Sequence, residues 1–297
     1  MTAVDARARP AAATASDWIE LTKPRIAGLV TLTAAVGFLL GSPADVDLLR
    51  LAAAALGTAL AAGGAGALNQ AVERDVDGRM RRTKDRPIPS GRIDANAGLA
   101  YGLALSALGL VTLWFGSNPR TAILAMVTTL LYVGVYTPLK RTTALNTLVG
   151  AVPGALPPVM GWTAATGGLD WGAAALFFIL FLWQLPHFLS IAWMYREDYA
   201  RAGLKMLPAL DPDGSATGRI AALYGLALVP VSLAPWALGL AGASYFVGAF
   251  ALGVTFFGFA LALAMKRERA CARRLLLASV VYLPVLLALL VVDRVAV

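Results

Sequence analysis

The sequence predicts an all-α protein built from nine membrane-spanning helices, and three observations lead there. Of its 297 residues 59% are hydrophobic and only 14% charged, with a mean hydropathy of +0.71; an ordinary soluble domain is about 25% charged. The apolar residues come in blocks close to the ~20 residues a helix needs to cross a bilayer. The charges collect in the breaks between blocks, and their density alternates from one break to the next. These features exclude a soluble globular enzyme, a disordered chain and a coiled coil. The net charge of +8 is therefore read first as loop topology and not as a nucleic-acid surface. A lone cysteine, Cys271, excludes a disulfide framework and any multi-cysteine metal centre.

The elements follow in order. Residues 1–25 read as a tail with Arg7, Arg9 and Pro10, then an interfacial helix with Trp18 at headgroup level. Nothing before Ile26 has the uninterrupted apolar region of a cleaved secretory signal. Residues 26–297 read as a single transmembrane domain, with spans at 26–41, 48–68, 95–116, 120–138, 145–166, 171–193, 220–241, 244–265 and 274–292. The first span is short and flanked by Lys23 and Arg25, which suits a tilted or snorkelled segment. The N-terminal segment and every second loop together hold 22 of the 25 Lys and Arg; only Arg50, Arg120 and Arg294 fall on the other side. Positive charge marks the cytoplasmic face, so the N-terminus is expected there and the C-terminus opposite. Two loops, 73–94 and 195–219, are longer and more charged than a connection requires. They follow the second and sixth spans, about 120 residues apart, which suggests two weakly similar halves.

The first chemical constellation ends the second span. Asn69, Glu73 and Asp77 are spaced i, i+4, i+8, which puts them within about 80° of one another on a helix face. An amide and two carboxylates form an oxygen-only donor set. Mg²⁺ prefers such ligands and is usually completed by substrate phosphates. Arg79, Arg81, Arg82, Lys84, Arg86 and Arg92 follow at once, and guanidinium forks suit phosphate oxygens. A diphosphate substrate fits this pattern. For most of these arginines a self-neutralising loop of seven basic and five acidic residues is an equally good reading. For the three aligned groups it is poor, because polar side chains at membrane depth are costly and usually functional.

The second constellation spans the end of the fourth block and the sixth. Tyr136 and Lys140 share a face (i, i+4) and can reach a phosphate from across a cavity; Lys140 and Arg141 can also be ordinary stop-transfer charges, the reading that suits Arg141 slightly better. His187, the one histidine of the chain, lies next to Pro186 inside an apolar block. Its chemistry allows an iron ligand, a proton carrier or a hydrogen-bond donor, and satisfied packing is the bland alternative. Glu197 and Asp198 are either loop charges or half of a metal site. Phe177, Phe178, Phe181, Trp183, Phe188, Trp193, Tyr195 and Tyr199 crowd this sector. Some belong to an interfacial belt; others can face an allylic cation, each such contact giving roughly 0.5–2 kcal/mol.

The run N-Q-x-x-E-R-D-x-D-x-x-M-x-R-T-x-x-R-P at 69–87 resembles the first signature of the UbiA-type intramembrane prenyltransferases. With Met80, Arg82-Thr83, the YTPLKR turn, the Pro-His-Phe triplet at 186–188 and DYARAGLKMLP at 198–208, it is more narrowly similar to the heme-farnesylating branch. The resemblance covers nearly the whole chain. It implies nine helices around a central cavity open to the cytoplasmic side and to lipid. It implies Mg²⁺ as cofactor, held by Asn69, Glu73 and Asp77. Farnesyl diphosphate would be met by Arg82, Arg86, Lys140 and Arg141, with Tyr136 also in the substrate-binding set and Asn69, Glu73, Asp77 and Lys140 as the catalytic residues. Heme b would be the acceptor, with His187, Tyr195 and Asp198 in the binding region and His187 beside the porphyrin. One departure stands out: the broader family has two aspartates at i, i+4 where this chain has Tyr195 and Tyr199. That puts a second carboxylate-bound Mg²⁺ in doubt and matches the heme branch.

Three rivals remain open: a related transferase with a phenolic or other tetrapyrrole acceptor, a secondary transporter, and a heme-binding scaffold. Arginine outnumbers lysine 20 to 5 and alanine is abundant, which suggests a high-GC bacterium and its inner membrane. A downstream heme-modifying membrane enzyme is the expected partner.

Overall fold

The computed structural model describes residues 13–295; the expected tail with Arg7, Arg9 and Pro10 lies outside them. A short helix α1 (Ala15–Leu21) precedes the spans. The membrane helices are α2 (Pro24–Gly41), α3 (Leu48–Asp77), α4 (Ala95–Gly116), α5 (Pro119–Leu139), α6 (Asn146–Thr166) and α7 (Trp171–Met194). After a short α8 (Arg196–Arg201) come α9 (Ser215–Ala237), α10 (Ala243–Lys266) and α11 (Arg269–Val292). Among the described residues there are nine helices long and apolar enough to cross a membrane and no strand; one isolated bridge pairs Ala241 with Arg294.

The helix limits agree with the apolar blocks to within a few residues, with one informative exception. Helix α3 continues through the charged sequence to Asp77. Its thirty residues measure about 45 Å at 1.5 Å per residue, against a hydrocarbon core of ~30 Å. The extra turns carry Asn69, Glu73 and Asp77 as a rigid projection of the bundle.

Small residues let the spans approach closely, as expected where lipid supplies no hydrophobic drive between helices. At Gly37 on α2 a Cβ would meet the Pro158 carbonyl, and at Gly161 on α6 it would meet the Ala34 carbonyl, so this pair packs backbone against backbone. Helices α3 and α4 meet through Gly64, Gly102 and Gly109 in the same way. Helix α7 is central to the second half, packed by α6, α9 and α11. The largest buried cluster joins Trp162, Leu176, Trp183, Tyr245, Phe256 and Tyr282 across these helices. The outward faces stay apolar: Leu103, Phe115, Val247, Leu277 and Val281 are all exposed, which suits contact with lipid tails.

Helix α1 is stapled to the bundle. Thr14 and Asp17 form a capping box, Arg92 Nε donates to Asp17 Oδ1 at 2.7 Å, and Gln70 Nε2 donates to the Glu20 and Leu21 carbonyls. Gln70, inside the 69–87 run, thus serves an architectural end while its neighbour Asn69 faces the polar cluster.

Candidate active site

The projecting end of α3 meets the end of α5. Asn69, Glu73 and Asp77 occupy three successive turns and are 1%, 7% and 1% exposed, on the common face that the i, i+4, i+8 spacing predicts. Glu73 accepts from Lys140 Nζ at 2.9 and 3.1 Å and from Asn69 Nδ2 at 2.9 Å. Asp77 accepts from Arg86 Nη1 at 2.7 Å. Thr83 Oγ1 donates to the Asp77 carbonyl at 2.8 Å, which folds the following loop back and brings Arg86 over the helix end. Each buried carboxylate therefore has its own cation, which offsets the desolvation that burial imposes.

The end of α5 is wound as a π-helix over Leu131–Tyr136, a form that recurs at functional sites. This turn stacks Tyr132 on Tyr136, ring centroids 5.8 Å apart and planes at 28°. Lys140 Nζ lies 4.5 Å from the Tyr136 centroid. Thr137 Oγ1 donates to the Tyr132 carbonyl and accepts from Asn69 Nδ2, both at 2.9 Å, so the π turn is tied directly to α3.

Lys23 joins the cluster without any sign of it in the sequence beyond its place between Thr22 and Pro24. It stands at the corner between α1 and α2 with a left-handed backbone (φ 52°). Its Nζ donates to Asn69 Oδ1 at 2.5 Å and to the Tyr132 hydroxyl at 3.4 Å. Burial, then the charges of Arg86 and Lys140, draw its pKa down to about 7. Burial acts the same way on Lys140, but the neighbouring Tyr136 and Glu73 outweigh it and hold that pKa above the ordinary lysine value.

A second polar group lies within α7 and α11. His187 Nδ1 is 2.7 Å from Ser279 Oγ, and Ser279 Oγ donates to the Leu276 carbonyl at 2.6 Å. The serine hydrogen being used, Oγ accepts from Nδ1–H, and the ring presents Nε2 as its unprotonated nitrogen. Trp183 stacks on the imidazole (5.0 Å, 21°) and donates Nε1–H to the Ser279 carbonyl at 2.9 Å, so packing and hydrogen bonding both orient the ring.

The remaining predicted residues divide. Arg82 crosses to the loop after α7, with its guanidinium 5.4 Å from the Tyr195 centroid and Nη2 3.4 Å from the Tyr199 hydroxyl. Asp198 is engaged by Arg201 one turn on, at 2.6 Å. Arg141 is exposed. The ends of α3 and α7 are joined beneath these contacts by a small apolar cluster of Val76, Met80, Ala192, Leu204 and Met206.

Among the described residues no three His, Cys, Asp or Glu side chains gather as a metal cluster. The donor set offered by α3 is instead two carboxylates and an amide oxygen, which suits a hard cation completed by phosphate oxygens. The residues fit Mg²⁺ on that ground.

The sequence profile of the UbiA prenyltransferase family matches residues 30–283. The chain belongs to that family. It is 49% identical over 287 residues to a protoheme IX farnesyltransferase of Solibacter usitatus, covering 94% of this chain and 98% of that protein. It is 44% identical to one of Anaeromyxobacter dehalogenans, covering 99% and 100%. Among solved structures, a UbiA homolog from Archaeoglobus fulgidus bound to GPP and Mg²⁺ superposes with a TM-score of 0.67 at 17% identity, over 92% of this chain and 99% of that one. A digeranylgeranylglyceryl phosphate synthase gives 0.76 at 18%, over 94% and 97%. At such identities the likeness establishes the UbiA fold. The chain is a multi-pass membrane prenyltransferase of this family.

Proposed function

We propose that the chain transfers the farnesyl group of farnesyl diphosphate to a vinyl group of protoheme IX (heme b), giving heme O and diphosphate. The observation that carries this reading is the full-length similarity, at 40–49% identity, to proteins named protoheme IX farnesyltransferase. The buried acid–base cluster supports it with the chemistry that a diphosphate leaving group demands.

In this reading Asn69, Glu73 and Asp77 hold Mg²⁺. The ion supplies charge neutralisation for the departing diphosphate. Lys140 and Arg86, which now neutralise Glu73 and Asp77, turn to the diphosphate oxygens, joined by Lys23, Arg82 and Arg141. The C1–O bond of the farnesyl group breaks, and both electrons leave with diphosphate. The stacked faces of Tyr132 and Tyr136 stabilise the allylic cation at C1. The terminal vinyl carbon of the porphyrin forms the new C–C bond, leaving a cation on the carbon next to the ring. Water adds there and loses a proton, which yields the hydroxyethylfarnesyl substituent. His187, with Nε2 bare, faces the porphyrin or its iron, and Tyr195 and Asp198 flank the acceptor.

Residues 26–297 act as one domain in this reading. The charged end of the bundle, with the N-terminus, faces the cytoplasm of a bacterial inner membrane, where both greasy substrates keep their tails in lipid and their charged heads among the basic loops. Heme O then passes to a heme-modifying membrane enzyme. The test is product analysis: purified chain with Mg²⁺, farnesyl diphosphate and heme should give a heme heavier by one farnesyl and one hydroxyl group. Unmodified heme, with prenylation of a phenolic acceptor instead, refutes the acceptor assignment.

A further inference from the structure

A separate feature lies at the same charged end, away from the polar cluster. A groove of about 330 Å³ runs between α10 and α11, lined among others by Thr255, Gly258, Phe259, Ala262, Lys266 and Arg274. Two residues alone, Arg267 and Glu268, connect these helices. Arg267 takes the left-handed conformation (φ 55°) and its N–H closes on the Leu263 carbonyl at 2.9 Å. That sharp reversal sets Lys266, the last residue of α10, and Arg274, in the second turn of α11, on one groove.

The groove has the dimensions of one leaflet. Thr255 precedes Lys266 by eleven residues, about 16 Å of helix, and half the hydrocarbon core is ~15 Å. Its floor is shaped for a chain: at Gly258 a Cβ would meet nothing within 4 Å, so the missing side chain leaves open space beside Phe259 and Ala262. Its mouth is cationic. The run 266–274 holds five basic residues and one acid, Glu268. Of the five only Arg267 has an acidic partner among the described residues, Asp213 at 3.4 Å. A second groove, of about 340 Å³ between α4 and α5, is lined by apolar residues alone, including Trp114, Phe115 and Met126. It offers lipid a surface but no headgroup preference.

We propose that the α10–α11 groove is a binding site for an anionic phospholipid. The phosphodiester lies between Lys266 and Arg274, and one acyl chain runs along Gly258 toward Thr255. Basic pockets between spans at a charged membrane face select anionic headgroups in this way, and long basic side chains at helix ends reach the phosphate level by snorkelling. A zwitterionic lipid would bring an ammonium into the same positive field, and free phosphate would leave the slot unfilled.

The experiment measures the Tm of the purified full-length chain in detergent with dioleoylphosphatidylglycerol, with dioleoylphosphatidylcholine, or with inorganic phosphate. Phosphatidylglycerol should raise Tm by several degrees and the other two by much less. Native mass spectrometry from an equimolar lipid mixture should show preferential retention of one phosphatidylglycerol. The double substitution Lys266→Gln/Arg274→Gln should erase the difference between the two lipids. Gly258→Leu, which fills the slot and leaves both cations in place, should erase it too. Equal shifts with both lipids, a full shift with phosphate alone, or a lipid difference that persists in either variant would overturn the assignment.

Discussion

Glu73 and Lys140 show how a single pair ties the site together. Both are largely buried, and their Nζ–Oε1 separation is 2.9 Å, so removing one partner strands the other; breaking a buried pair this way costs on the order of 3–5 kcal/mol. Lys140→Met should reduce turnover by about 10²-fold or more, the usual effect of losing one donor to a developing negative charge. If steady-state assays with farnesyl diphosphate show kcat within twofold of the parent, Lys140 has no part in the reaction. A second expectation concerns the imidazole. His187→Ala should weaken heme binding by about tenfold, as should, more mildly, Ser279→Ala, since partners that orient a ligating histidine typically matter at this level. The KM for farnesyl diphosphate should stay within about twofold in both. Heme titrations followed by absorbance read this directly, and a titration unchanged in His187→Ala removes the residue from the acceptor site. Much of this site is legible from spacing, because Asn69, Glu73 and Asp77 lie within one helix and helical periodicity alone aligns them. Lys23 and Ser279 were not legible. They act across 46 and 92 residues of chain, and in sequence Lys23 is indistinguishable from a lysine flanking a short span.

At the scale of elements, hydropathy finds where a helix is inside lipid and not where it ends. Residues 69–77 carry too many polar groups to register as membrane, yet α3 runs on to Asp77 because the chain there keeps its helical hydrogen bonds and packs Val76 and Met80 against the loop after α7. The π winding at Leu131–Tyr136 is equally silent in an apolar string, although it fixes both tyrosines of the site. Helix α1 gives a prediction of its own. The Thr14 backbone, then Arg92 and the Thr14 hydroxyl, hold the Asp17 carboxyl at about 2, below its ordinary 3.8. A depressed carboxyl stabilises the folded form fully above the unfolded value, and that contribution disappears as pH falls through the folded one. Hydrogen exchange over residues 14–22 should therefore be slow and pH-insensitive, after correction for intrinsic rates, above pH 4. Protection should be lost between pH 4 and 2. Asp17→Asn should show weakened protection already at neutral pH, and an α1 equally protected in parent and variant would show that the Asp17 contacts do not hold it.

Taken whole, the molecule concentrates its chemistry at one end. Among the described residues the nine spans form an apolar body, while the acid–base cluster, the Arg82 crossing and the basic run 266–274 all belong to the loops and helix ends on one side. A transporter needs polar paths at both faces; a transferase whose substrates carry charged heads and long tails needs one. The asymmetry also determines what chelation should do. Glu73 and Asp77 are neutralised here by Lys140 and Arg86, so the cluster satisfies its own charges and the fold does not depend on a bound cation. Diphosphate departure is different. In the proposed reaction it brings strong negative charge to the same place, and two cations already committed to carboxylates cannot neutralise it as well. EDTA should therefore abolish farnesyl transfer while leaving Tm nearly unchanged, and Mg²⁺ or Mn²⁺ should restore it. Asp77→Asn, which removes one carboxylate and releases Arg86, should raise the Mg²⁺ concentration needed for half-maximal rate by about tenfold or more, the order expected when a ligand or its close support is lost. Turnover that continues undiminished in chelator, or a metal requirement identical in parent and Asp77→Asn, would show that α3 serves this end of the bundle as structure and that the leaving group is handled elsewhere.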